Sequence, residues 1–173
     1  MAALLEVKNL SVSFDTAAGE VQAVRDVSFS LSGGEVLAIV GESGCGKSVL
    51  CRSIMKLLPD NARMKSGQIL LDGADVTGYR ERDMRRLRGR MFSMIFQDPM
   101  TSLNPTLPIG RQIGEAVLVH QPKLKRAAVR RRVLELMELV GIEDPEARYS
   151  LYPHNFSGGM RQRSVMAIAL AAN

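Results

Sequence analysis

The eight-residue segment from Gly41 to Ser48 (GESGCGKS) carries the strongest chemical signal in the sequence. It matches the phosphate-loop pattern G-x-x-x-x-G-K-[ST], with an apolar strand-like segment before it and a helix-like segment after it. Glycines at this spacing let successive backbone N–H groups point at phosphate oxygens, and the helix adds its positive N-terminal end. Lys47 supplies a charge for the β- and γ-phosphates, and Ser48 supplies a hydroxyl for Mg²⁺. The pattern therefore predicts binding of a nucleoside triphosphate.

Two other interpretations of this loop carry less weight. The glycines run G-x-x-G-x-G and are followed by a Lys-Ser pair, which has no role in a dinucleotide-binding loop. A glycine turn without any ligand is the remaining alternative. The thiol of Cys45 is not expected to react, because this residue would contribute only its backbone.

Residues Phe156 to Arg163 (FSGGMRQR) form a second candidate anion site, and an apolar helical run follows them. Ser157 is a typical helix N-cap, and Gly158 and Gly159 leave the first backbone N–H groups uncovered by side chains. A Ser-Gly-Gly cap is common on its own. The segment is therefore interpreted as an anion site only because a phosphate loop occurs in the same sequence.

The N-terminal half must position the phosphate loop, and its pattern predicts strands around it. Apolar and polar residues alternate in short segments from Leu4 to Leu31, around a turn at Ala18 to Glu20. This pattern predicts antiparallel strands. The run Glu35 to Val40 is apolar on both faces, which predicts a central strand covered by helices. Apolar residues at helical spacing predict a helix over Lys47–Leu58.

The rest of the chain is predicted to be two more strands followed by helices. Ser66–Asp72 and Met91–Phe96 are the predicted strands. The predicted helices are Arg111–His120 and Lys123–Val140, with Gly141 ending the second. Together these elements predict an α/β fold.

Composition limits the class of protein. With 173 residues, 46% hydrophobic and 24% charged, the chain has the size and balance of a single folded globular domain. Two cysteines, Cys45 and Cys51, are too few for a disulfide framework, which favours a reducing compartment. No stretch is expected to cross a membrane, and the N-terminus does not resemble a signal peptide.

The formal net charge of +5 is concentrated in two segments, Gly78–Met91 and Lys123–Arg132. In the second, the apolar residues share one face of the predicted helix, and Arg130 to Arg132 point outward near Glu135 and Glu138. We interpret this as a solvated helix face rather than a nucleic-acid groove. The Arg80–Arg90 cluster stays undecided, since only Tyr79 could stack on a base.

Three segments together resemble the ATP-binding subunits of ATP-binding cassette transporters. They are the phosphate loop, Ile95 to Pro99 (IFQDP) after a strand, and Ser157 to Gln162 (SGGMRQ). Two longer stretches, Phe96–Pro105 (FQDPMTSLNP) and Tyr152–Met160 (YPHNFSGGM), look like the dipeptide, oligopeptide and nickel importer branch. In that branch Met commonly replaces the Gln of the signature, and the resemblance covers essentially the whole chain.

The resemblance implies roles for individual residues. Phe14 would stack on adenine, with core packing as the alternative, and Gln97 would contact Mg²⁺ or the attacking water. Lys47 and Gln97 are the implied catalytic residues, and Ser48 and Gln97 the implied Mg²⁺ ligands. Further residues are expected to contact ATP, either through the phosphate loop or through the signature of the opposite subunit: Gly41, Glu42, Ser43, Gly44, Cys45, Gly46, Val49, Ser157, Gly158, Gly159, Met160 and Gln162.

The resemblance also implies an organisation and a setting. It implies a phosphate-loop nucleoside triphosphatase with an N-terminal antiparallel β subdomain, an inserted helical subdomain and an incomplete central sheet. The expected boundaries are about 1–97 for the nucleotide-binding core, about 98–156 for the helical subdomain and 157–173 for the signature helix. The implied partners are permease subunits, a second ATP-binding subunit and, indirectly, a solute-binding protein, at the cytoplasmic face of the membrane.

The sequence departs from the family in one respect. A working site needs an Asp-Glu pair after an apolar strand, and Asp72 is followed by Gly73 where Glu is required. His120 and His154 do not match the later switch histidine of the family. We therefore expect an N-terminal portion of an ATPase with negligible hydrolysis alone and exposed apolar segments that favour aggregation. The alternatives are a nucleotide-binding remnant without turnover and, less favoured, a cassette acting on nucleic acid.

Overall fold

The computed structural model describes residues 3–97 and 102–172. The quoted residues Asp98, Pro99, Met100 and Thr101 lie outside this part of the chain. The chain divides into two compact units, residues 1–85 and 86–173, which are described separately below.

The first unit is built on a four-stranded antiparallel sheet with strand order β2-β1-β3-β4. Its strands are β1 (Ala3–Thr16), β2 (Gly19–Ser32), β3 (Ala62–Leu71) and β4 (Ala74–Asp75). The hydroxyl of Thr16 donates to the carbonyl of Gly19 at 2.7 Å and closes the first hairpin. The predicted antiparallel strands are confirmed, and so is the strand predicted over Ser66–Asp72.

A bulge interrupts the pairing of β1 with both of its neighbours. Asn9 and Asp26 adopt left-handed backbone angles, with φ of 47° and 50°. The side-chain amide of Asn9 donates to the carboxylate of Asp26 at 2.8 Å. Asn and Asp tolerate this conformation better than other side chains do, so the pair lets both strands bend at one level.

Apolar side chains on one face of the sheet form the core of the first unit. Helix α1 (Lys47–Ile54) contacts β1 and β2, and a second short helix, α2 (Glu81–Leu87), follows the sheet. The buried residues of this unit include Val7, Leu10, Val12, Val24, Leu50, Met55, Ile69, Leu71, Val76 and Met84. The helix predicted over Lys47–Leu58 is thus confirmed in its first two turns.

The strands predicted over Glu35–Val40 and Met91–Phe96 are wrong for this structure. Residues 35–40 form no strand, and Val36 and Val40 are 94% and 88% exposed. Phe92 makes only an isolated bridge to Arg88. A strand requires a neighbour for its backbone groups, and among the described residues no strand pairs with either segment. The expected exposure of apolar side chains at these segments is confirmed.

The second unit is helical. It contains α3 (Ile109–His120), α4 (Arg126–Leu139), α5 (Pro145–Arg148), a 3-10 turn (Pro153–Asn155) and α6 (Gly158–Ala169). Helix α3 packs against α4 and α6 around one apolar cluster. Its fully buried members include Ile109, Ile113, Val117, Val133, Leu136 and Met137. Both predicted helices are confirmed, and Gly141, with a φ of 77°, follows the end of α4.

The arginines of α4 are paired with acidic side chains. Arg131 and Arg132 lie 3.9 Å and 3.3 Å from carboxylate oxygens of Glu135. Arg130 pairs with Glu146, which raises the pKa of its guanidinium, and stacks over the ring of Tyr149. Arg130 and Arg131 are exposed and Arg132 is half-buried, which agrees with the interpretation of a solvated helix face for the first two. Glu135 is a partner as expected, and Glu146 is the second one.

Three residues set aside on sequence grounds have structural roles. Asp72 adopts a φ of 49° in the tight turn between β3 and β4, and its N–H donates to the carbonyl of Leu4. The imidazole of His120 lies against the backbone of Gly89. His154 stacks on the ring of Tyr152, with the centroids 5.6 Å apart.

Gly67→Ala should destabilise the first unit strongly. Gly67 has a φ of +104°, and a Cβ there would lie 2.6 Å from the Cα of Leu10 and 2.6 Å from the carbonyl oxygen of Lys8. Backbone cannot move aside, so we expect a loss of more than about 2 kcal/mol in the free energy of unfolding. Denaturant titration measures it.

Gly78→Ala is the matched control, because nothing lies within 4 Å of a Cβ built at this position. Its unfolding free energy should stay within about 0.5 kcal/mol of the original chain. Equal stability of the two variants would contradict the proposed close approach of β3 to β1.

Candidate functional site

The ammonium group of Lys47 lies inside the glycine loop that precedes it. It donates to the carbonyl oxygens of Gly41 at 2.8 Å and Glu42 at 2.6 Å, and it lies 3.5 Å from the Sγ of Cys45. The N–H of Cys45 also donates to the carbonyl of Glu42 at 3.3 Å. The loop is therefore curled around the ammonium group, with two of its backbone carbonyls turned toward that charge.

Two glycines give the loop this path. Gly44 and Gly46 have φ values of 83° and 93°, a region that other residues rarely adopt. A Cβ at Gly46 would lie 2.2 Å from the carbonyl oxygen of Ala23 on β2. Gly46 is also the N-cap of α1, and no side chain caps that helix. The first N–H groups of α1 are thus left for an anion.

A cleft of about 570 Å³ lies between β2 and the loop. Its walls include Val21, Ala23 and Val24 on one side and Gly44 to Lys47 on the other. Its volume lies within the usual range for small-molecule sites. Phe14 is half-buried on β1 and pairs directly with Val21, so their side chains share one face of the sheet. Phe14 itself is not part of the cleft wall.

The remaining loop residues have few side-chain contacts. Ser48 is exposed in the first turn of α1, and Val49 is half-buried. Glu42 and Ser43 are exposed. Among residues 3–97 and 102–172, no group of three or more His, Cys, Asp or Glu side chains could hold a metal ion.

The second candidate site is the N-terminus of α6. Ser157 is its N-cap, and its hydroxyl accepts a hydrogen bond from the N–H of Met160 at 3.3 Å. Gly158 and Gly159 are exposed, with nothing within 4 Å of a Cβ built on either. Their backbone is accessible at the positive end of a twelve-residue helix, as the sequence predicts.

Arginines hold this helix end in place, a feature that the sequence interpretation missed. The guanidinium of Arg161 donates to the carbonyl of Pro153 at 2.7 Å, and its backbone N–H donates to the carbonyl of Ser157 at 3.0 Å. Arg163 donates to the carbonyl of Gly141 at 2.8 Å. The only signal available in the sequence was the placement of two arginines directly after a Ser-Gly-Gly cap.

The other predicted site residues fall in the second unit. Met160 is half-buried, packs against the apolar cluster, and its sulfur lies 3.8 Å from a guanidinium nitrogen of Arg148. Gln162 is exposed. Gln97 is exposed in a bend at the end of the described range 3–97. The structure thus groups the loop residues in one unit and the signature residues in the other, and their roles stay predictions.

The motif Gly41–Ser48, curled around the ammonium of Lys47 at the uncapped start of α1, is the motif of the phosphate-loop class of nucleotide-binding protein. The family model described as ABC transporter matches residues 24–173. The chain belongs to this family. The resemblance inferred from its three motifs is confirmed.

Curated relatives share more than half of their aligned residues with the chain. The oligopeptide transport ATP-binding protein OppD of Bacillus subtilis is 56% identical over 171 residues, which cover 98% of this chain and 48% of that protein. The dipeptide transport ATP-binding protein DppD of Lactococcus lactis is 52% identical, with coverage of 98% and 49%. The chain therefore spans about half the length of these relatives.

Solved structures show the same fold at low sequence identity. A dimeric bacterial ABC transporter cassette, MJ0796, matches with a TM-score of 0.84 and 23% identity, over 98% of this chain and 70% of that one. A dimeric post-hydrolysis state of the same cassette, bound to ADP and Pi, matches with a TM-score of 0.83. The expected cassette fold is confirmed. None of the helices within the described residues is long and apolar enough to span a membrane.

Arg161→Ala should loosen the loop that carries Ser157. The substitution removes a charge-assisted hydrogen bond to the carbonyl of the buried residue Pro153, worth about 1.5–3 kcal/mol. We expect amide hydrogen exchange at residues 156–160 to accelerate by roughly tenfold or more, while exchange in β1 is unchanged.

Arg131→Ala is the control, since its pair with Glu135 at 3.9 Å is exposed and contributes little. Exchange at residues 156–160 should not respond to it. Unchanged exchange in Arg161→Ala would show that this guanidinium does not hold the loop.

Proposed function

We propose that the chain is the nucleotide-binding part of an ATP-driven importer subunit. The observation that carries this proposal is the ammonium of Lys47 held within the glycine loop at the uncapped start of α1. In this role, the carbonyls of Gly41 and Glu42 give up the ammonium when the β- and γ-phosphates of ATP arrive. The N–H groups of the loop and of α1 then accommodate the phosphate oxygens.

The cleft beside β2 is the place proposed for the nucleoside. Its apolar wall, including Val21 and Val24, suits a flat base. Phe14 shares a face of the sheet with Val21, which supports its predicted contact with adenine. Its partial burial also agrees with the alternative role in packing. The remaining loop residues, from Glu42 to Val49, line the phosphates in this proposal.

Mg²⁺ fits the oxygen donors that the chain offers. The hydroxyl of Ser48 is exposed beside the proposed phosphates, and the exposed side chain of Gln97 offers an amide oxygen. Hydroxyl, amide and phosphate oxygens are the donors that Mg²⁺ prefers. When bound, Mg²⁺ would neutralise charge that develops on the β- and γ-phosphates during transfer. Gln97 would also orient the attacking water.

We propose further that two chains, or this chain and a related subunit, hold ATP between them. Ser157, Gly158 and Gly159 would then contact the γ-phosphate bound to the opposite phosphate loop, with Met160 and Gln162 continuing the signature. The exposed backbone at the start of α6 supports this arrangement. The two similar solved cassettes are dimeric.

The transported solute is proposed to be a peptide or a related small molecule. The support is the identity of 52–56% to proteins named for oligopeptide and dipeptide transport. In this proposal the chain is peripheral at the cytoplasmic face of the membrane, where residues of about 98–156 contact permease subunits. A solute-binding protein delivers the peptide from outside.

Lys47→Ala should weaken binding of ATP by about 10–100-fold, because a charge-assisted hydrogen bond to phosphate contributes about 1.5–3 kcal/mol. Isothermal titration of the chain with ATP and Mg²⁺ measures the Kd. Lys65→Ala is the matched control: it removes an ammonium in the same unit that pairs with Glu20 at 3.1 Å. Its Kd should be unchanged.

Equal affinity of the Lys47→Ala variant would overturn the proposed phosphate site. Phosphate release is followed in the same samples, and we expect negligible turnover, because the sequence lacks the Asp-Glu pair needed to polarise water. Steady turnover that Lys47→Ala abolishes would contradict that expectation.

Disruption of the gene that encodes this chain should lower peptide uptake by its host. The expected result is at least a severalfold loss of labelled di- or oligopeptide import and resistance to a toxic peptide analogue. Restoration of the gene with Lys47→Ala should not recover import, whereas restoration with Lys65→Ala should. Normal peptide import in the disrupted strain would refute the proposed substrate class.

A further inference from the structure

Helix α2 presents a cluster of arginines on its outward side. Arg82, Arg85 and Arg86 are exposed, and the helical spacing i, i+3, i+4 places them on one face. Met84 is fully buried and anchors the opposite side of the helix. The cluster is therefore a fixed array of positive charge rather than a mobile tail.

Arg82 and Arg86 lack the acidic partners that Arg130 and Arg132 of α4 have. Within the described residues, no carboxylate pairs with Arg82 or Arg86. Arg85 lies 3.9 Å from Glu81, an exposed pair of little strength. In α4, by contrast, Arg130 pairs with Glu146 and Arg132 pairs with Glu135, whereas the pair of Arg131 is as weak as that of Arg85. The α2 face is thus the cluster whose charge is available to a partner.

The chemistry of the face indicates what kind of partner it fits. Guanidinium groups bind phosphate through two parallel hydrogen bonds. The α2 face has no exposed apolar side chain among its arginines, so it lacks the apolar centre that a protein–protein interface usually has. Tyr79, exposed just before the helix, is an amphipathic residue of the type enriched at membrane surfaces. One tyrosine does not provide the successive stacking partners of a nucleic-acid groove.

We propose that the outward face of α2 binds the phosphate headgroups of an anionic phospholipid bilayer. This contact is independent of the phosphate loop and places the chain on the membrane surface directly. Each arginine near such a surface strengthens binding by about fivefold, so the three together account for about a hundredfold. The attraction should fall steeply with ionic strength, because the charges are exposed.

Vesicle flotation of the full 173-residue chain tests the proposal. The probes are vesicles of phosphatidylcholine alone and of phosphatidylcholine mixed with phosphatidylglycerol, and flotation separates bound protein from aggregates. We expect binding only to the anionic vesicles, lost at high salt. The combined substitution R82Q, R85Q and R86Q should weaken it by about a hundredfold, and the combined substitution R82K, R85K and R86K should retain most of it.

The matched control is the combined substitution R130Q, R131Q and R132Q, which removes the same charge from α4 and should leave vesicle binding within about twofold. Equal loss in both glutamine variants would overturn the proposal, since net charge alone would then explain binding. Equal binding to neutral vesicles would overturn it as well. So would tighter, salt-sensitive binding of RNA or DNA that requires the same three arginines. Titration of the triple glutamine variant of α2 with ATP shows whether the nucleotide site is intact. An unchanged Kd for ATP would show that the loss of vesicle binding belongs to the α2 face and not to the nucleotide site.

Discussion

The carbonyl oxygen of Ala23 lies where the Cβ of any residue other than glycine would stand at position 46. This close approach seats the glycine loop against β2 and sets the point at which α1 begins. The direction of α1 then determines where its free N–H groups and the side chain of Lys47 point. The sheet that buries the apolar core of the first unit thereby also positions the candidate phosphate site.

The two candidate anion sites are built in a similar way. Each places a helix N-terminus at the surface with glycines beside it, and each has a basic side chain that binds nearby backbone carbonyls. Lys47 binds carbonyls of its own loop, and Arg161 binds the carbonyl of Pro153. In both sites side chains shape the loop, while the backbone offers the donors.

Local patterns predicted the parts of the fold that depend on local physics. Alternation predicted β1, β2 and β3, helical spacing predicted α3 and α4, and the glycine spacing predicted the loop around Lys47. The segments 35–40 and 91–96 were predicted as strands because they are apolar, but a strand also needs a partner, which composition does not show. No local pattern predicted the bulge at Asn9 and Asp26 or the contact of Arg161 with Pro153. Both depend on contacts between residues that are distant in the sequence.

The hydrogen bonds that Lys47 makes to its own loop set the minimum interaction energy that a ligand must supply in order to bind the ammonium group. An incoming anion has to replace the carbonyls of Gly41 and Glu42, so the number of bonds to the ammonium hardly changes. The net gain comes from exchanging neutral oxygens for charged ones, and it grows with the charge of the ligand. We therefore expect weakly charged anions to gain little over the internal carbonyls, whereas a polyphosphate would gain enough to displace them.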